Sequence, residues 1–204
     1  SHTSLFTVGS KTLVLKWPYL RESFQKQGKP VATIIAETLP NTMVLAVASI
    51  IIALVVGLLI GILAALWRNS LFDRFFTVFG TLGMSLPSFF TAILFAWIFA
   101  FVLADYTGLN LTGSLFEVDE FTGLRYISLK NMILPAVTLG IRPLGVVIQL
   151  SRAAMLDVLS QDFIRTAKAK GLSQTQIIWR HAMRNAMNPV VTTISGWFAS
   201  LLAG

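Results

Sequence analysis

The sequence predicts an all-α, polytopic bundle of transmembrane helices, and three observations predict it. Apolar residues make up 55% of the chain and charged residues only 12%, where soluble domains carry about 25% charged residues. The mean hydropathy is +0.74. The apolar residues fall in long uncharged blocks rather than in amphipathic periods, and insertion into a bilayer accounts for such blocks better than a soluble core does. The chain has no cysteine, which excludes disulfides, thiolate metal sites and a cysteine nucleophile.

Residues 1–41 read as an extracytoplasmic segment. Within it, "KPVATIIAETL" sets Val31, Ile34, Ile35 and Leu39 on one helical face behind Pro30, a pattern that suits a helix lying in the outer interface. Residues 42–204 read as the membrane domain. Thr42 to Trp67 is 26 residues without a charge, and roughly 20 apolar residues suffice to cross the hydrocarbon core. Gly57 and Gly61 make a GxxxG there, readable either as close helix packing or as coincidence in a glycine-rich span. The second span, about 75–104, contains "SLPSFF" around Pro87, which predicts a kinked or broken helix. A third, about 132–151, is interrupted near its middle by Arg142 and Pro143. The fourth, 190–204, is only 15 residues and ends with the chain. Together with an opening "SHTSLF" that lacks an initiator Met and a signal-peptide layout, this short span makes further sequence expected on both sides.

Charge orients the spans. "RNSLFD" with Arg74, and the basic loop 152–189, belong inside by the positive-inside rule, while the loop after the second span holds four acids against Arg125 and Lys130 and belongs outside. The N-terminal segment opposes this rule with five Lys/Arg against two acids. Long translocated segments escape the rule, and a preceding helix can set the orientation instead.

Enzyme chemistry finds little support. Glu117, Asp119 and Glu120 in "FEVDEF" have no EF-hand spacing, and "GLNLTGS" has a GxxxxG without the Lys of a phosphate loop. No cofactor or metal site is expected in this chain. A formal charge of +7 would suggest nucleic acid in a soluble protein, but here the charge sits in membrane loops, and nucleic acid is not an expected partner. Arg142, inside a span, is costly there and should face water, a partner or a pore. Its two readings are a translocation-path residue and a structural one reaching polar groups at the Pro143 break. Pro87 is read likewise as a pathway kink or an ordinary membrane proline.

The basic loop carries the most specific signal. Gly171 follows "DFIRTAKAK" where a helix would end in a left-handed residue, and Ser173 with Gln176 makes a capping box that opens a new helix. The stretch resembles the cytoplasmic EAA loop of membrane subunits of ABC importers. In the E-A-A-x-x-x-G core, Arg165, Thr166 and Ala167 hold the leading positions and Gly171 the fixed glycine, so Ala167 and Gly171 match the general form. The dipeptide, oligopeptide and nickel branch reads close to D-[YF]-[VI]-R-T-A-[RK]-A-K-G-L and then W-R-H-A-x-R-N-A. This chain supplies "DFIRTAKAKGL" and "WRHAMRNA", with "PVATIIAETLPNT" ahead of the first span.

The resemblance implies a multi-pass subunit of the bacterial cytoplasmic (inner) membrane that imports dipeptides or oligopeptides, with nickel import as an alternative cargo. It implies a coupling helix that seats in an ATPase subunit, where ATP and Mg are bound and hydrolysed, a second permease subunit, and an extracytoplasmic solute-binding protein. Membrane lipid surrounds it. The docking residues it implies are Asp162, Phe163, Arg165, Thr166, Ala167, Lys168, Lys170 and Gly171, with Arg180, Arg184 and Asn185 bracing the loop against the bundle. A secondary transporter or channel with no ATPase is the alternative from outside the family.

Overall fold

The computed structural model describes residues 2–8, 11–16, 20–26, 28–111, 113–119 and 122–203. The chain divides into two compact units, Ser1–Pro40 and Asn41–Gly204.

In the first unit, strands β1 (His2–Val8) and β2 (Lys11–Lys16) pair antiparallel, with an irregularity between Ser4 and Phe6. The sequence reading assigned no strand here, although "KTLVLK" has the Thr/Val content that favours one. Downstream, Glu22 bridges to Pro30, and the Lys29 ammonium meets the Glu37 carboxylate at 2.5 Å. Helix α1 starts at Val31 and runs to Leu66. The stretch assigned to an interfacial helix is therefore the opening of a 36-residue helix that contains Pro40. The helix passes through Pro40, whose ring removes one backbone donor from the ladder.

In the second unit, α1 ends in a tight turn at Asn69 (φ 65°). Helix α2 (Leu71–Ser85) follows, its N-terminus capped by the Ser70 hydroxyl, which accepts from the Asp73 N–H at 3.1 Å. The expected break is present. Leu86 is extended (ψ 136°) ahead of Pro87, as the proline ring demands of its predecessor, and α3 (Ser88–Phe95) leaves at 111° to α2. It continues as a π-helical segment, Ala96–Val102, and a short α4 (Ala104–Thr107). The acidic loop beyond folds into an antiparallel hairpin, β3 (Phe116–Val118) with β4 (Arg125–Ile127), and Glu117 accepts from the Asn131 amide at 3.1 Å.

Helix α5 (Lys130–Leu159) is the element on which α2, α3 and α8 pack. It runs through Pro143 without interruption, against the sequence reading of a break there. Pro143 is buried, and the helix is held from two sides. On one, α1 approaches so closely that a Cβ on Gly57 would lie 2.8 Å from Val147 Cγ1, and one on Gly61 would lie 2.7 Å from the Ile148 carbonyl. The GxxxG is thus a packing seam. On the other, a Cβ on Gly80 of α2 would lie 3.3 Å from the Gly145 carbonyl, and one on Gly83 3.1 Å from Ile141 Cγ2.

After α5 come α6 (Asp162–Ala169), a turn, α7 (Gln174–Gln176), a π segment (Ile177–Ala182) and α8 (Met183–Ala203). Ile50, Val147, Val190 and Ile194 form the core where α1, α5 and α8 meet. Among the described residues, two helices, α1 and α5, are long and apolar enough to cross a membrane, or three spans if the bent α2–α3 pair is one. The run expected as a fourth span lies within α8, which includes Arg184 and Asn188 near its start.

Replacing Gly61 by Ala should lower stability by roughly 1–3 kcal/mol, the range for overpacking a tight contact. Gly196→Ala, where nothing lies within 4 Å, should be neutral or slightly stabilising through helix propensity. The melting midpoints of the two purified variants in detergent check this.

Candidate functional site

Loop 152–189 is built by short-range rules. Helix α6 begins after Gln161, extended at ψ 151°, and its polar sequence leaves one apolar stripe, Ile164 and Ala167, three residues apart. Both are buried, 0% and 5% exposed. They pack with Met155 at the end of α5, Ala65 at the end of α1, and Ile177, Ala182 and Ala186 of the following helix. The turn closes through Lys170 N–H to the Thr166 carbonyl (3.0 Å) and Leu172 N–H to that of Ala167 (3.3 Å). Gly171 stands at φ 80°, where a Cβ is disfavoured. The capping box is complete: Ser173 Oγ accepts from Gln176 N–H at 3.3 Å, and Gln176 Oε1 accepts from Ser173 N–H at 3.0 Å. The result is a helix, a rigid turn and a second helix against the ends of α1 and α5.

This packing sorts the residues singled out in the sequence. Asp162, Phe163, Arg165, Thr166, Lys168, Lys170 and Gly171 are all exposed on the outer side of α6 and its turn. Phe163, an aromatic 42% exposed among charges, is conspicuous. The Asp162–Arg165 pair, 3.4 Å apart with both side chains in solvent, adds little stability. Ala167 points the other way. Its small side chain permits close approach to its own chain, because it continues the apolar stripe begun by Ile164.

The bracing residues also differ from expectation. Arg180, Arg184 and Asn185 are exposed, and the Asn185 amide donates to its own helix at the His181 carbonyl (2.9 Å). Ile177, Ala182 and Ala186 brace the loop instead, since a contact with an apolar bundle end favours apolar groups. Of the pathway candidates, Pro87 lies exposed at the α2–α3 bend, and Arg142 is exposed on α5 with its guanidinium 5.9 Å from the Trp197 ring centre.

One ion pair escaped the sequence reading. Asp73, only 2% exposed, accepts from Arg152 Nε at 2.5 Å and Nη2 at 2.8 Å, from the Asn69 N–H at 2.9 Å and from the Thr77 hydroxyl at 3.4 Å. It ties the α1–α2 turn to α5, one turn before Met155. The signal was the capping pattern S-x-x-D at Ser70 and Asp73; the partner, 79 residues away, carries no local mark.

A family described as "Binding-protein-dependent transport system inner membrane component" matches residues 57–204. The chain belongs to this family. Curated relatives agree with the peptide branch of these inner membrane components. The chain is 35% identical over 178 residues to the di/tripeptide transport system permease protein DppB of Pseudomonas aeruginosa (strain UCBPP-PA14), covering 81% of this chain and 53% of that one. It is 35% identical over 182 residues to the dipeptide transport system permease protein DppB of Bacillus subtilis (strain 168), covering 89% and 54%. To the glutathione transport system permease protein GsiC of Escherichia coli (strain K12) it is 36% identical over 176 residues, covering 86% and 53%. The chain spans about half the length of the curated relatives it matches.

In this inner membrane component, Asp73→Ala should destabilise by about 3 kcal/mol, because Arg152 keeps a charge with no counterion. The exchange Asp73→Arg with Arg152→Asp should recover part of that loss, and a double-mutant cycle on thermal unfolding measures the coupling.

Proposed function

We propose that this chain is the membrane-spanning part of a permease subunit in an ATP-driven importer of dipeptides or oligopeptides, and that α6 with its turn docks on a cytoplasmic ATPase. The observation that supports the reading most is the two-faced α6. Its apolar stripe faces the bundle, while Phe163, Lys168, Lys170 and Arg165, the last paired only with solvent-exposed Asp162, remain outward as an aromatic and cationic surface. Aromatic and Arg side chains of this kind are the usual anchors of protein interfaces.

The mechanism follows from rigidity. ATP and Mg, bound in the ATPase, supply the driving reaction. This chain's part is to be moved, since a partner can shift a conformational equilibrium only by binding its states unequally. Gly171, the capping box and the buried cluster make α6 rigid with the ends of α1, α5 and α8, so a push on Phe163 or Arg165 reaches the bundle without being absorbed by the loop. A second permease subunit completes the pathway, a solute-binding protein delivers the peptide from the outer side, and Arg142 and the Pro87 bend line the route.

The test uses the complete complex in proteoliposomes. Arg165→Glu with Lys168→Glu changes only exposed positions, so insertion and folding should persist. ATPase copurification and ATP-driven uptake of a labelled dipeptide should both fall roughly tenfold or more, as at an interface hot spot. Uptake that continues with no ATPase bound would instead make this a secondary transporter.

A further inference from the structure

Arg142 occupies the least hospitable place in the chain for a charge. Along α5 it stands 12 residues from Lys130 and 10 from Arg152, about 18 and 15 Å at 1.5 Å per residue. Those two charges sit near the ends of a hydrocarbon core roughly 30 Å thick, which puts Arg142 close to its middle. It is exposed on the described chain, and none of the ion pairs among the described residues includes it. A charged side chain at this depth faces a water-filled path or an anionic group rather than lipid.

Its surroundings are built for holding an anion. The guanidinium lies over the Trp197 ring, 5.9 Å from the centre, a contact that orients the cation without neutralising it. Trp197 is also a wall of an open groove of about 270 Å³, whose other lining residues are Thr193, Gly196 and Ser200. These positions follow a helical spacing, so they share one face of α8, with Trp197 at its edge, where it also packs against the core of Val190 and Ile194. On the same helix, Thr192 and Ser195 return their hydroxyls to their own backbone at 3.1 and 2.9 Å. The hydroxyls of Thr193 and Ser200 make no such bond among the described residues. The groove thus offers an aromatic plane and two uncommitted hydroxyls, and an unpaired cation stands beside it over the Trp197 ring.

We propose that Arg142, Trp197, Thr193 and Ser200 form a carboxylate-binding station midway across the membrane domain, which takes the C-terminal carboxylate of the peptide as it passes. The proposal rests on the peptide-importer reading for its cargo. A planar guanidinium matches a carboxylate through two parallel hydrogen bonds, Gly196 leaves room for the chain that bears it, and the groove is of a size to hold one amino-acid residue. The open side of the groove lets the ligand leave again, as a transport site requires.

The full-length complex in lipid nanodiscs tests this by equilibrium binding of radiolabelled dialanine and of its C-terminal amide. Wild type should bind the free carboxylate about tenfold or more tightly than the amide, the size of a charge-assisted hydrogen bond. Arg142→Gln should bring the ratio close to one, and Arg142→Lys should retain part of it. If Arg142→Gln fails to assemble, Thr193→Val with Ser200→Ala reads the same preference, which should drop severalfold. A wild-type ratio near one, or a ratio unchanged by these variants, overturns the station. Parallel uptake measurements separate the two readings. ATP-driven uptake with no carboxylate preference removes the station and keeps the importer, whereas uptake independent of ATP with the preference intact removes the importer and keeps the station.

Discussion

The carboxylate of Asp73 is the constraint around which the inner end of the molecule is arranged. A charge taken out of water at the edge of a bilayer is tolerated only with partners, and Asp73 collects four donors from three places: the α1–α2 turn, the next turn of α2, and Arg152 on α5. Satisfying it fixes the sharp turn at Asn69 and the start of α2, where a negative charge also complements the helix dipole. It also fixes the height of α5 relative to both. Arg152 is followed one turn later by Met155, the fully buried residue on which Ile164 of the basic loop rests. The position of the candidate docking surface therefore descends from that one ion pair.

Farther into the membrane the same task passes from charge to shape. Between helices in lipid there is little hydrophobic gain from association, because the tails are as apolar as leucine, and close van der Waals contact takes its place. Gly57, Gly61, Gly80 and Gly83 supply that contact by letting α1 and α2 come within backbone distance of α5. The large apolar residues, such as Ile51, Leu59, Phe89 and Ile93, are left facing outward. Along these seams the helices meet through small residues, while many of the bulky ones face outward.

What could be read from the sequence was what depends on neighbours along the chain. The first span, the break at Pro87, the left-handed Gly171 and the capping box of Ser173 with Gln176 are all local. So is the helical period of α6, but a period identifies a stripe and not which side of it meets the bundle. That is why Ala167 was read as facing a partner when it continues the inward stripe of Ile164. The Asp73–Arg152 pair was hidden by its separation in sequence. The continuity of α5 through Pro143 depends on packing from α1 and α2 that no local rule contains. The bracing role of Arg180, Arg184 and Asn185 is implied by the resemblance alone; among the described residues they stand exposed, and contact with the apolar bundle end selects Ile177, Ala182 and Ala186.

The seam at Gly61 also has a mechanical meaning. Ser151 lies against Gly61 at the tightest approach between α1 and α5. Val147 against Gly57, Gly145 against Gly80 and Ile141 against Gly83 continue the clamp along α5 for about 15 Å. The rod has no free hinge along that length. A displacement delivered at its Leu159 end is therefore shared by α1, α2 and α5 as one block, and Arg142, beside the last of these clamps, travels with it.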